Sequence, residues 1–303
     1  MASHVKTEGE TAKSAIITVT YNKVPTLKNF EQASEQVDYV IICDNSSDPF
    51  VIGYLERFCN SHPKFILLKN GENMGISKAY NKAVAFAHNL GVFWLYFFDD
   101  DANFDVDWIQ KARKCWSELT LQEMPVGILA PIITNDEGYY NSTLGFTERY
   151  SVISSVITSG VFTNVKVFNH CGGYNPNFFV DWADLEFSRR VKESGYVAVR
   201  LNEVLIFQPF GRNLKNSSFR NRLVNGYIKS TAMVSLKLNK SNTLSTVYSL
   251  YSPARYKDQK ENALWSMKHS GVKNLGFRLV LILIHHLVLP KILRKEILYP
   301  YQR

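Results

Sequence analysis

Short apolar runs recur at regular intervals through the first hundred positions. Ala15-Ile-Ile-Thr-Val-Thr-Tyr21 and Tyr39-Val-Ile-Ile-Cys43 are rich in β-branched residues, and Phe65-Ile-Leu-Leu68 and Val92-Phe-Trp-Leu-Tyr-Phe-Phe98 follow. Each is too short to cross a bilayer and suits a buried strand. Helical patterns lie between them. Pro25 reads as a first-turn residue before a helix over Thr26–Gln36. Small and apolar residues recur at helical spacing over Ile76–Asn89, and Gly91 offers a C-terminal cap. Alternation of β and α units at this spacing predicts a parallel α/β sheet with right-handed crossovers. Ligands of such sheets bind at the carboxyl ends of the strands, which is where chemistry is to be sought.

From about Ser217 the texture turns helical, basic and aromatic. The run Leu279–Leu289 is apolar apart from His285 and His286 and is too short to span a membrane. It reads as a core helix, or as an interfacial one flanked by Arg278, Lys291, Arg294 and Lys295. The expected organisation is a polar tail over residues 1–13, an α/β domain over 14–215 and a basic helical region over 216–303.

With 46% hydrophobic and 20% charged residues, the 303-residue chain has globular composition. The net charge of +8 is unevenly spread. Residues 205–303 hold 17 of the 35 Lys and Arg but only 3 of the 27 Asp and Glu. A basic last third suits a well-solvated surface or an anionic partner such as a phospholipid membrane. Nucleic acid is disfavoured, because no basic motif interleaved with aromatics is visible. Met1–Ser14 lacks the apolar stretch of a cleavable signal. The four cysteines have no metal-type spacing and read as reduced thiols of a cytoplasmic protein.

The strongest chemical feature is Asp99-Asp100-Asp101, placed directly after an apolar run. Three adjacent carboxylates repel one another unless a cation compensates, and hard oxygen ligands suit Mg2+ or Mn2+ shared with substrate phosphates. An acidic surface turn is the plain alternative. Tyr21 offers a ring to stack on a base and Asp44 an acceptor for a pyrimidine imide, although Asn and Asp at strand ends often only shape turns. Asn73-Met-Gly-Ile-Ser-Lys-Ala-Tyr-Asn81 opens a helix on a Gly turn, where Lys78 could face phosphate. It is neither a dinucleotide fingerprint nor a P-loop. In Phe179-Val-Asp-Trp-Ala-Asp-Leu-Glu-Phe187, Asp181 reads as the N-cap of a helix and Asp184 as a first-turn acid or a general base.

Taken in order, Val19-Thr-Tyr-Asn22, Asp44-Asn-Ser-Ser47, the Asn73–Asn81 motif, Asp99-Asp-Asp101 and Phe179–Phe187 resemble glycosyltransferase family 2. The resemblance covers roughly Ser14–Gly211 and looks nearest to the bacterial rhamnosyltransferase and galactofuranosyltransferase branch. It implies a GT-A fold, with a Rossmann-like nucleotide half and a mixed-sheet acceptor half, and a mainly helical C-terminal appendage follows here. It implies an inverting transfer from a UDP- or dTDP-sugar to a growing polysaccharide or lipid-linked glycan, with Mn2+ or Mg2+ as cofactor. With the basic last third, the expected location is the cytoplasm, peripheral on the inner face of the cell membrane.

By the same resemblance Thr20, Tyr21 and Asp44 hold the base; Asn73 and Lys78, at the helix start read above, are expected on the nucleotide side. Asp99 and Asp101 match the outer acids of the DxD motif, and Asp184 the catalytic base, with Asp181 and Trp182 beside it. Ile157-Thr-Ser159-Gly160 matches a strand lining the donor sugar. Gln208 stands where the branch often carries a metal-binding His, with Arg212 and Lys215 nearby to offset phosphate charge. A non-catalytic carbohydrate- or nucleotide-binding module on the same scaffold is the alternative function.

Overall fold

The structure, a computed structural model, describes residues 12–134, 148–207, 261–262 and 265. The chain divides into two compact units, Met1–Pro209 and Phe210–Arg303. The described sheet and the helices packed on it lie in the first. The basic region expected over 216–303 lies outside the described residues except at Glu261, Asn262 and Trp265, so the interfacial helix, His285 and His286 are not described.

Strand β1 (Lys13–Thr20) is the centre of the nucleotide-side half. Ala15, Ile16 and Ile17 are fully buried, so both faces of the strand are covered, as a continuous β-branched run requires. β1 pairs in parallel with β2 (Tyr39–Asp44) on one side and β4 (Val92–Asp99) on the other, and β2 pairs in parallel with β3 (Phe65–Lys69). The remaining strands are β5 (Asn103–Phe104), β6 (Val126–Thr134), β7 (Tyr150–Ile153), β8 (Val161–Asn164) and β9 (Val197–Phe207). All nine form one sheet in the order β3-β2-β1-β4-β8-β6-β9-β5, with β7 also paired to β9. β8 runs antiparallel to β4, and at that seam the sheet changes from parallel to mixed. The α/β class and the two unlike halves agree with the sequence expectation.

Among the described residues of the first unit, the helices are α1 (Lys28–Ser34), α2 (Pro49–Ser61), α3 (Ile76–Asn89), α4 (Asp107–Leu121), α5 (Val165–His170) and α6 (Ala183–Glu193). α3 has the predicted bounds. It buries Ser77, Ala79, Tyr80, Ala83, Val84 and Ala87, a stripe of mostly small residues. Gly91, at φ +76°, ends it by donating to the His88 carbonyl at 2.9 Å. α1 starts later than the Pro25 signal predicts. The Thr26 N–H donates to the Asp100 carbonyl at 3.1 Å, which holds the Pro25–Thr26 segment against the strand ends instead of in the helix.

The seam between the halves is packed with aromatic rings. Phe162 of β8 stacks on Trp94 and Tyr96 of β4 at centroid distances of 4.9 and 4.5 Å, and Trp116 of α4 meets Trp94 edge-on at 5.4 Å. Elsewhere, the Asn81 side chain of α3 accepts the Tyr174 N–H at 2.8 Å and donates to the Tyr174 carbonyl at 2.7 Å. This amide ties α3 to the loop entering α6. Among the described residues no helix is long and apolar enough to cross a membrane.

Asn81→Ala removes both bonds and leaves part-buried peptide groups unpaired, a loss of about 1–3 kcal/mol. The variant is expected to melt several degrees below the wild type in calorimetry, and an unchanged midpoint would contradict this role.

Candidate active site

The register of the parallel strands brings three of the singled-out positions to one edge. Thr20 lies opposite Asp44, and Val19 opposite Asp99. Asp44 is only 1% exposed. Its Oδ1 accepts from the Thr20 hydroxyl at 2.8 Å, the Ser46 hydroxyl at 2.6 Å and the Ser46 N–H at 3.1 Å. Its Oδ2 is buried with no hydrogen-bond partner. A carboxylate with one oxygen saturated and the other bare is an acceptor held ready for an N–H.

Tyr21 stands at the rim, 52% exposed. Asn22, in the left-handed region at φ +46°, accepts the Ser47 and Asp48 N–H groups at 2.9 and 3.0 Å and so joins the loops after β1 and β2. Asn45 donates to the Gly75 carbonyl at 3.3 Å and accepts from Asn70 at 2.8 Å, carrying the same edge across to α3.

Asp99 ends β4, and its N–H donates to the Ser159 hydroxyl at 3.4 Å. Burial first, and then the Asp101 charge, push the Asp100 carboxyl up to about 6 against the opposing pull of Lys23. Lys23 also pairs with Asp101 at 3.6 Å. The crowding is that of a site able to accept positive charge, and carboxylate oxygens suit a hard divalent ion. Among the described residues no group of three His, Cys, Asp or Glu side chains is placed to hold a metal alone. Carboxylate oxygens at such a place suit an ion that shares its shell with phosphate and water. Gln208, Arg212 and Lys215 lie outside the described residues.

The third element is the start of α6. Its N-cap position is Trp182, held at φ +72°, so Asp181 is not the cap predicted from sequence. The left-handed turn at Trp182 displaces the helix start by one residue. Asp184 accepts the Leu185 N–H at 2.8 Å and a second bond from the Thr158 N–H. Burial, with the Asp181 charge adding to it, pushes its carboxyl up to about 6 despite these bonds. Glu186, which lies in the Phe179–Phe187 motif but is given no role by it, and Arg190 anchor this helix: Arg190 binds the Glu186 carboxylate at 2.7 Å and the Gly173 carbonyl at 2.6 Å.

Residues 157–160 are not the strand predicted from the resemblance. They form a turn, closed by the Val161 N–H donating to the Thr158 carbonyl at 3.0 Å, with Gly160 at φ +80°. A Cβ at Gly160 would lie 2.6 Å from the Pro131 Cγ. The turn joins both acidic centres, since Thr158 binds Asp184 while Ser159 binds Asp99. The buried Tyr174 hydroxyl, 3.4 Å from the Thr158 hydroxyl, feels the charges of both acids, and burial most of all keeps it protonated. On the nucleotide side, the Asn73 carboxamide accepts the Gly75 N–H at 3.1 Å and so shapes the turn into α3, while Lys78 is exposed on the first helical turn.

Residues 15–120 match the family model for glycosyl transferase family 2. The chain is also 25% identical over 213 residues to dTDP-rhamnosyl transferase RfbF of Shigella flexneri, covering 64% of this chain and 68% of that one. These matches make the chain a glycosyltransferase with a family 2 likeness over residues 15–120. Its likeness to RfbF relates it to the rhamnosyltransferase branch. Among solved structures, the transferase resembles GalNAc-T7 with UDP, GalNAc and Mn2+ at TM-score 0.53 and 12% identity. That match covers 85% of this chain and 56% of GalNAc-T7, so the transferase spans little more than half of that protein. The mannosyltransferase PcManGT from Pyrobaculum calidifontis, in complex with GDP-Man and Mn2+, matches at TM-score 0.52 and 16% identity over 95% of this chain and 84% of that one. At these identities the likeness establishes the GT-A fold.

Because the folded state holds the Asp184 proton more tightly than the unfolded chain does, ionising Asp184 costs stability. The penalty is absent below pH ~4, grows as pH rises, and is complete above about 6. Asp184→Asn is therefore expected to melt a few degrees higher than the wild-type transferase at pH 7.5 and to lose that advantage near pH 4. Paired thermal melts across this range check the sign.

Proposed function

We propose that this transferase moves a sugar of the rhamnose or galactofuranose class, with inversion, from a dTDP- or UDP-sugar to a hydroxyl of a growing polysaccharide or lipid-linked glycan. The reaction belongs to cell-surface glycan synthesis of the O-antigen or capsule type. The observation that carries the reading is the Thr158–Gly160 turn, which binds Asp184 at one residue and Asp99 at the next. Acids suited to a diphosphate and to an acceptor hydroxyl thus share one rigid support.

Asp44 supports a pyrimidine donor: its unpartnered Oδ2 matches the single imide N–H of uracil or thymine, and Tyr21 supplies an exposed ring for stacking. Thr20 holds the Asp44 carboxylate in orientation, while Asn73 and Lys78 serve the phosphate side. Asp99 and Asp101, with Gln208 as a third oxygen, would hold Mn2+ or Mg2+, which when bound supplies charge stabilisation for the departing diphosphate. Asp184 accepts the proton of the acceptor hydroxyl as that oxygen attacks the anomeric carbon and the bond to the diphosphate breaks. Its raised pKa suits a base working near neutrality. Ser159 and Gly160 line the donor sugar, and Asp181 and Trp182 the acceptor.

We assign catalysis to residues 14–215, with 216–303 as a basic helical region contacting an anionic membrane surface from the cytoplasmic side.

The kcat/KM for the acceptor is expected to fall about tenfold per pH unit below about 6 as Asp184 protonates in the free enzyme. Asp184→Asn is expected to lower turnover by about a hundredfold or more while retaining nucleotide binding. Normal transfer by that variant removes the base assignment.

A melting screen of UDP, dTDP and GDP with and without Mn2+ tests the donor and the metal together. A pyrimidine nucleotide should raise the midpoint more than GDP, and Mn2+ should enlarge the shift in the wild type but not in Asp101→Asn. Preference for GDP, or wild-type turnover by Asp101→Asn in Mn2+, overturns the corresponding assignment.

A further inference from the structure

Ser188 lies within α6, one turn beyond Asp184, and is 1% exposed. Alanine is the better helix former, so a buried serine there calls for a partner to its oxygen. The Ser188 hydroxyl donates to the Asp184 carbonyl at 2.7 Å, a back-bond that serines in helices commonly make. The same oxygen accepts the Val156 N–H at 3.2 Å, and this second bond leaves the helix. Two residues on, the Thr158 N–H binds the Asp184 carboxylate itself. One short segment therefore grips Asp184 twice, at the main chain through Ser188 and at the side chain directly. It cannot slide along α6 without breaking one of these bonds. Its far end is fixed to β4, where the Gly160 N–H donates to the Phe97 carbonyl at 2.7 Å and the Ser159 hydroxyl accepts the Asp99 N–H at 3.4 Å. Glu186 and Arg190, which pair with each other, stand nearly opposite Asp184 and Ser188 around the helix, so they hold its other face.

We propose that Ser188 is a positioning residue for Asp184: by tying α6 to the 156–160 segment, it sets where the carboxylate stands relative to the Asp99 edge. This rests on the transfer reading above, in which Asp184 is the base and Asp99 lies on the diphosphate side. A base must meet the hydroxyl proton while that oxygen is aligned on the anomeric carbon, and a displacement of about 1 Å at such a group can cost a large factor in rate. Without the Ser188 oxygen the buried Val156 N–H loses its acceptor, the segment relaxes, and the Thr158 N–H no longer bears on the carboxylate in the same way. Asp181, from the loop before α6, and Tyr174, from the loop after α5, are titratable groups that face the same carboxyl, and a change at Ser188 alters neither side chain.

The test uses the full chain with dTDP-rhamnose and UDP-galactofuranose as donors and octyl glycosides of N-acetylglucosamine and rhamnose as acceptors. Ser188→Ala is expected to lower kcat about tenfold while donor and acceptor KM stay within about twofold. Ser188→Thr, which keeps the hydroxyl, should restore most of the loss. Added to Asp184→Asn, Ser188→Ala should cost little more, because it acts through that carboxylate. Wild-type kcat in Ser188→Ala beside a failing Asp184→Asn overturns the positioning role and leaves the base assignment standing. Normal transfer by both variants overturns the base assignment, and the positioning role with it. A full tenfold loss on top of Asp184→Asn shows that Ser188 acts apart from Asp184 and overturns the role as well. Melting curves give a second readout that needs no substrate. Weakening the Thr158 bond raises the pH at which Asp184 ionises in the folded state. The melting advantage of Asp184→Asn is therefore expected to become complete at higher pH in the Ser188→Ala background than in the wild type. A midpoint that stays or falls overturns the role. A raised midpoint supports it even where neither donor is consumed, an outcome that overturns the transfer reading instead.

Discussion

Everything at this site depends on β1 lying in parallel register between β2 and β4. Parallel strands finish together, and side chains just beyond their last hydrogen bonds are drawn to one edge. A slip of one residue at β1 would turn Thr20 away from Asp44 and exchange the two faces of the strand. The β-branched sequence resists such a slip, because fully buried Ile16 and Ile17 have no favourable alternative seat. The apolar interior of a strand therefore fixes the geometry of polar groups that it does not touch.

On that edge and beside it, the acids are kept in different surroundings. Asp44 has one oxygen saturated by two hydroxyls and an N–H. Asp184 has backbone N–H donors yet is desolvated enough for its carboxyl to be pushed up to about 6. Asp100 is raised by burial and a like-charged neighbour. One residue type is thus held in three electrostatic settings, depending on how many donors each is given and how much water reaches it. The local costs are set against the apolar sheet beneath.

The sequence was most legible where the determinants are local. The four parallel strands and α3 follow from runs and spacing, and the acid trio stands out because it directly follows an apolar strand. Less legible were features that depend on partners far along the chain. Pro25 reads as a helix start until its neighbour Thr26 is seen bonded to Asp100. Asp181 reads as a cap until Trp182 is seen in a left-handed turn. The segment 157–160 reads as a strand until Gly160 is seen curled against Pro131. Asn45, Asn70, Tyr174, Glu186 and Arg190 are assigned no role by any motif, since most of their partners lie outside their own element. Gly127 of β6 is a similar case: a Cβ there would lie 2.6 and 2.7 Å from the Tyr196 and Val191 side chains, a closeness no local pattern reveals. In the mixed half short strands alternate with turns, and hydrophobic periodicity alone does not set their order.

The aromatic stack at the seam has a mechanical consequence. Trp94, Tyr96, Phe162 and Trp116 interlock across β4, β8 and α4, and one continuous sheet runs beneath them. Closing or opening by a hinge between the halves would have to unstack those rings and shear the ladder, so the frame behaves as a stiff plate. Any movement around the site then falls to the segments along its rim, while the plate itself stays still.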